Sequence, residues 1–226
     1  MNSLLFIDTE THDLKDPRLV QLAWSNWINW DTKQYLYKPE QAITPWASSV
    51  HHITNEMVET APSFKDMKDE CQNIINDSTI VAHNARFDLQ VLENEWIPRL
   101  ESHICTYKVA YKVLEDAENH QLQYLRYFTW IYKNLPSDLL AHEARSDVEV
   151  LKELFRYLLK FKSPEEMIEI SSKPILLRSL SFGKCKWIPL ENVPKSYLQW
   201  LLGNFKFDND WDDLQYTIRH YLWLVN

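Results

Sequence analysis

The chain has 226 residues, 45% of them hydrophobic, enough to bury one core of ordinary size with or without a small appendage. No apolar run approaches a bilayer span, and the N-terminus lacks a basic region followed by a long apolar block; membrane insertion and export are not expected, and the cytoplasm is the expected location. Net charge is −8, unfavourable for a nucleic-acid binder taken whole, but residues 1–172 carry 17 basic and 27 acidic groups while 173–226 carry 7 and 5. An acidic body can handle phosphates when bound metal neutralises part of its charge, and the basic remainder suits contacts to a phosphate backbone. Cys71, Cys105 and Cys185 are odd in number and include no C-x-x-C pair, which argues against a disulfide framework and against structural zinc.

Leu4 to Ile7 have the density of a buried strand, and they run directly into Asp8-Thr9-Glu10. On an extended chain Asp8 and Glu10 leave the same face, close enough to share a hard divalent cation such as Mg2+ or Mn2+; two surface acids in a turn are the alternative. The loop from Thr11 to Pro17 is polar, with Asp13 able to take a left-handed turn position, and Leu14 is its lone apolar residue, placed to pack on a ligand or to tuck into the core. Arg18–Trp27 and Gln34–Lys38 read as two further strands around a turn at Asn29–Lys33, an antiparallel meander.

Residues Pro45 to Met57 predict a short helix or two, with Val50-His-His-Ile-Thr54 between them. Adjacent histidines point different ways on a helix and no third ligand stands nearby, so a ligand hydrogen bond or a surface role fits better than zinc. Ser63–Asn76 predicts a helix, Ser78–Asn84 a second apolar strand, and Ala85–Trp96 a helix with Asp88 in its first turn, beside the buried stripe of Val91 and Leu92. An acid there either serves a site or favours the helix dipole. His103–Tyr107 reads as a short strand or the start of a helix to Leu114, and His120–Trp130 as a further helix. Ala141–Leu159 is the most amphipathic segment, and its apolar stripe, stepped backward from Leu151 and Leu154, lands on Asp147. His142, five residues earlier, reaches the same place only from a loop or a frayed first turn, which suits a residue that takes up a proton and gives it away. Phe161–Ile170 predicts a short helix and Ser171–Pro174 a linker, dividing a domain 1–172 from a small C-terminal domain 173–226. In the tail, Gly183 marks a turn, and Phe182, Lys184, Lys186 and Trp187 alternate as a nucleic-acid contact would, or as a strand packed on the following helix would.

Asp8, Glu10, Asp88 and Asp147 thus come from three segments, and with His142 they outline a two-metal hydrolase. Phe6-Ile-Asp-Thr-Glu-Thr11, His83-Asn-Ala-Arg-Phe-Asp88 and His142-Glu-Ala-Arg-Ser-Asp147 resemble, in order and spacing, the three motifs of the DEDDh 3′-to-5′ exonucleases. Val50-His-His-Ile-Thr54 is similar to that family's segment for the 3′-terminal nucleotide, and Phe182-Gly-Lys-Cys-Lys with Tyr197-Leu-Gln-Trp200 resembles the tail of the bacterial exodeoxyribonuclease X subfamily. The resemblance implies an α/β, ribonuclease-H-like fold with a mixed five-stranded sheet flanked by helices and a small C-terminal α+β extension. It also implies two Mg2+ or Mn2+ ions on Asp8, Glu10, Asp88 and Asp147, with His142 as general base and Thr9, Thr11, Leu14, His51 and Asn84 holding the nucleotide. The expected partner is a nucleic-acid 3′ end, DNA before RNA; a non-catalytic binding module on the same fold is the rival, and the sequence admits a homodimer without specifying one. Asp13 stands where the family often has Gly.

Overall fold

The structure is a computed structural model and describes residues 3–28, 30–76, 78–98, 102–205 and 212–223. Asn29, in the expected meander turn, lies outside the described residues. β1 (Ser3–Thr11) has Leu4–Ile7 buried on both sides, because side chains alternate and each face is covered. Leu4 and Phe6 join one core, Leu5 and Ile7 the other.

β1 is the middle strand of five, with β2 (Leu19–Asn26), β3 (Thr32–Leu36), β4 (Ser78–Ala82) and β5 (His103–Cys105) in the order β3-β2-β1-β4-β5. The meander β1-β2-β3 is antiparallel, whereas β4 and β5 run parallel to β1. Pairing of β1 with β4 covers only Ser3 to Phe6, while pairing with β2 continues to Thr11. Beyond Phe6 one edge of β1 is therefore released, and a crevice opens at the carboxyl ends of the parallel strands, where sheets of this kind hold ligands.

On the face of Leu4 and Phe6 pack α4 (Thr106–Val113), α5 (Leu122–Phe128), α6 (Ala144–Leu158) and α7 (Pro164–Ser171). The opposite face carries α2 (Phe64–Ile75) and α3 (Arg86–Asn94), and α1 (Pro45–His51) joins a smaller cluster with Val20, Ile53 and Val58. Of the stripe read from its sequence, α6 buries Val150, Leu151, Leu154, Phe155 and Leu158, while Leu159 caps the helix half-buried; Val148 is buried as well. It begins at Ala144 rather than Ala141: the Glu143 side chain accepts from the Ser146 amide at 2.8 Å, and His142 takes a left-handed φ of 59°, so neither is helical.

Other expected boundaries shift for local reasons. β3 spans Thr32–Leu36 rather than Gln34–Lys38, since its register with β2 starts at Ser25 opposite Thr32. His103–Tyr107 resolves into both alternatives, a three-residue strand that passes directly into α4. The left-handed residue of the Thr11–Pro17 loop is Asp16, at φ 51°, not Asp13. Asp13 instead folds its carboxylate back onto the Leu14 amide at 2.6 Å, a local turn bond that Asp makes readily.

The chain divides into two compact units, Met1–Ser172 and Lys173–Asn226. The second has its own core of Leu180, Cys185, Leu190, Val193, Leu198, Leu201, Leu214 and Ile218, formed around α8 (Lys195–Asn204) and α9 (Asp212–Trp223). The alternating strand considered for 181–189 does not form. Only single bridges, Ser179 to Pro189 and Leu180 to Lys186, join a loop that turns at Gly183, whose φ is +72°. A Cβ at Gly183 would lie 2.3 Å from the Tyr197 hydroxyl. Gly183→Ala is therefore expected to destabilise this unit by about 2 kcal/mol, from the left-handed backbone and the displaced tyrosine together, read as a lowered midpoint in thermal denaturation. An unchanged midpoint would show that the loop relaxes freely. Among the described residues no helix is long and apolar enough to cross a membrane.

Candidate active site

Alternation along β1 carries Asp8 and Glu10 onto the Leu4/Phe6 face and Thr9 and Thr11 onto the other. α6 covers the first face, and Asp147, buried at the start of its apolar stripe, has a carboxylate oxygen within 4.8 Å of one of Glu10, while its charge also acts on Asp8. Asp88 arrives from the opposite side. The chain leaves β4 at Ala82, turns through an exposed Asn84 at φ 63° and enters α3, which sets the buried Asp88 against Thr9; the Thr9 hydroxyl donates to its Oδ1 at 2.8 Å. Three segments of sequence thus meet at the released end of β1.

Asp147 is held from two directions. Its Oδ2 accepts the His142 amide at 2.9 Å and its Oδ1 accepts Gln123 Nε2 at 2.5 Å, while Gln123 Oε1 takes an Arg126 guanidinium bond at 3.3 Å, which orients the amide. Ligand atoms of Glu10, His142 and Asp147 lie within 4.8 Å of one another, close enough for one ion. Asp8 is outside that tightest trio, yet the charges of Asp147, Asp88, Glu10 and Glu143 all act on it.

Burial without a compensating cation dominates the electrostatics. Burial, then repulsion from Asp147 and Asp88, raises Asp8 far above the carboxylate range and lifts Glu10 to about 9. For Asp88 burial outweighs the Thr9 hydrogen bond and leaves it at about 7; for Asp147 burial outweighs the bonds from His142 and Gln123 and leaves it at about 6. Among the described residues no Lys or Arg forms an ion pair with any of the four. An all-oxygen set of crowded, partly protonated acids is what a hard divalent cation fits: it supplies the missing positive charge and returns the acids to their ionised forms.

The sign of the resulting pH dependence follows. Carboxyl groups raised by folding contribute stability below their unfolded values near 4, and that contribution is lost as pH climbs through about 6, 7 and 9. The metal-free protein is expected to melt at progressively lower temperature between pH 5 and pH 9, and a divalent ion at 100 times its dissociation constant to restore about 2.7 kcal/mol, more at the alkaline end. A melting temperature that is flat over this range in EDTA would contradict the crowding.

The residues expected at the nucleotide divide into two groups. Leu14, 58% exposed, and Asn84 are open to a ligand. Thr9, Thr11 and His51 are buried and already bonded. His51 Nδ1 accepts the Ile53 amide at 3.0 Å, so its proton sits on Nε2, which donates to the Thr11 carbonyl at 3.1 Å. Burial lowers the pKa of this ring and keeps it neutral. With both nitrogens used, His51 ties the end of α1 to the end of β1. Gln123 and Glu143 were not singled out from the sequence. Gln123 meets its partner across 24 positions with no local signature, and Glu143 caps a helix where Ser, Thr, Asp or Asn is the usual signal.

A mixed sheet with a carboxylate cluster and a loop histidine at the end of its central strand defines a ribonuclease-H-like exonuclease. The exonuclease family profile, RNase_T, matches residues 5–168, and the chain belongs to that family, in its DEDDh branch. It is similar to Exodeoxyribonuclease 10 of Escherichia coli (strain K12), at 28% identity over 236 residues covering 97% of this chain and 98% of that protein. A structure of exonuclease X in complex with 5′ overhanging duplex DNA has a TM-score of 0.63 at 27% identity, covering 74% of this chain and 99% of that one. The nuclease domain of 3′hExo, a DEDDh family member bound to rAMP, shares the fold at a TM-score of 0.55 and 13% identity, over 70% of this chain and 92% of that one.

Proposed function

We propose that this chain is a 3′-to-5′ exonuclease acting on DNA ends and releasing nucleoside 5′-monophosphates, in the cytoplasm. The observation that carries the reading is the meeting of Asp8, Glu10, Asp88 and Asp147 with no paired cation among the described residues. Full-length similarity to an exodeoxyribonuclease favours DNA over RNA.

Asp8, Glu10 and Asp147 would hold one Mg2+ or Mn2+, and Asp8 with Asp88 a second; when bound, the ions neutralise the scissile phosphate and lower the cost of a hydroxide nucleophile. The chain's own residues do the rest. His142, exposed on its left-handed loop with a ring nitrogen near Asp147, takes the proton from the attacking water. Gln123 holds the Asp147 carboxylate in one orientation, and Thr9 does the same for Asp88. Leu14 and Asn84 contact the terminal nucleotide directly, Thr9 and Thr11 border it, and His51 acts by fixing the Thr11 backbone. Residues 1–172 carry the chemistry, and 173–226 form an accessory unit.

The test is digestion of matched DNA and RNA strands labelled at either end, with Mg2+ and with EDTA. A labelled mononucleotide released at once from the 3′ end of DNA, and only with the metal, is the expected result. Faster release from RNA would replace the substrate assignment, and no release from either strand would end the reading.

A further inference from the structure

The unit Lys173–Asn226 carries a surface that the hydrolytic chemistry does not use. Trp200 and Trp187 are 55% and 68% exposed, although the core of this unit is complete without them. The Tyr197 and Trp200 rings, three residues apart on α8, lie nearly parallel at 7° with centroids 5.8 Å apart. Lys184 reaches over the Tyr197 ring with its ammonium 4.6 Å from the centroid, and Lys184, Ser196, Tyr197 and Trp200 line a shallow depression. Next along the chain, Lys186 sits 5.1 Å over the Trp187 ring. The turn at Gly183 sets this arrangement, because only a residue without Cβ lets the loop close on the Tyr197 hydroxyl.

We propose that this aromatic and cationic face binds a single nucleic-acid strand without needing its 3′ end, stacking bases on Trp200 and Trp187 and pairing phosphates with Lys184 and Lys186. Charge selects the partner. Residues 173–226 carry 7 basic and 5 acidic groups, with Glu191 the one acid before residue 206, while residues 1–172 carry 17 and 27, so without metal to neutralise the acidic unit a polyanion favours this segment. The ring geometry selects among polyanions. Two exposed indoles, Trp187 with the Lys186 ammonium over its ring and Trp200 in the depression it shares with Lys184, match alternating bases and phosphates, and they suit stacking that is indifferent to sequence.

The inference does not depend on hydrolysis, and its test separates the two. Full-length protein in EDTA is titrated with a covalently closed single-stranded thymidine circle, which has no 3′ end, and affinity is read by anisotropy over a range of salt. Trp200→Ala is expected to weaken binding about tenfold, the size of one lost base stack, with most affinity kept in Trp200→Phe. The Lys184→Gln, Lys186→Gln pair should reduce the slope of log affinity against log salt by about 1.4. Hydrolysis of the p-nitrophenyl ester of thymidine 5′-monophosphate with Mg2+ should be unchanged in all of these variants. Affinity and salt slope equal to wild type would overturn the inference, including where Trp200→Ala instead disrupts self-association; circle binding that persists in a protein without nuclease activity would leave it standing.

Discussion

Replacing Asp8 by Asn is expected to lower the rate of 3′-terminal release by about 10³-fold or more while raising the melting temperature of the metal-free protein. The loss follows from removing the carboxylate on which the other three acids act, since metal-borne stabilisation of a phosphoryl transition state is worth several kcal/mol and each ~1.4 kcal/mol is tenfold in rate. The gain follows from the sign of its shift. Asp8 is raised by burial and by repulsion from Asp147, Asp88 and Glu10, so its ionised form opposes folding, and a neutral amide of the same shape removes that cost, the more so at alkaline pH. Activity assays and thermal melts in EDTA read the two effects on one sample. A variant that is inactive but less stable would mark Asp8 as a structural residue; an active one would remove it from the site.

His142→Ala is expected to lower kcat by about 10²- to 10⁴-fold, the range for a lost general base, and to leave Mn2+ affinity within about threefold of wild type. The distinction matters because His142 has ligand atoms within 4.8 Å of both Glu10 and Asp147 and could instead ligate an ion. Its exposure on a loop, with only its amide bonded to Asp147, favours proton transfer over a fixed place in a coordination sphere. Calorimetric titration with Mn2+ decides. Affinity that falls in step with kcat would assign the ring to the metal.

Much of this site was legible before the fold. The run Leu4–Ile7 ending in two acids and the acid continuing an amphipathic stripe each place charge where burial is expected, and the acid in the first turn of the helix after a second strand, though it suits the helix dipole, lies beside a buried stripe. The need for His142 to leave the helix was likewise a matter of 100° per residue. Other features had no such signature. Asp16 rather than Asp13 takes the left-handed position because Asp13 finds a better use bonding the Leu14 amide. The tail's alternating residues mimic a strand, but Gly183 turns the chain and Cys185 is drawn into the core.

The order of apolar and acidic residues determined by itself which segments would be buried and that Asp8 and Glu10 would share a face, and it pointed to a cation among the acids of three such segments. Only the tertiary structure decided that β4 stops pairing at Phe6 and frees the end of β1, that Gln123 and Thr9 fix two of the carboxylates, and that His51 serves the backbone of Thr11. Periodicity is a property of neighbours along the chain, whereas a hydrogen bond between residues 24 or 79 positions apart exists only once packing has paid the entropy of bringing them together.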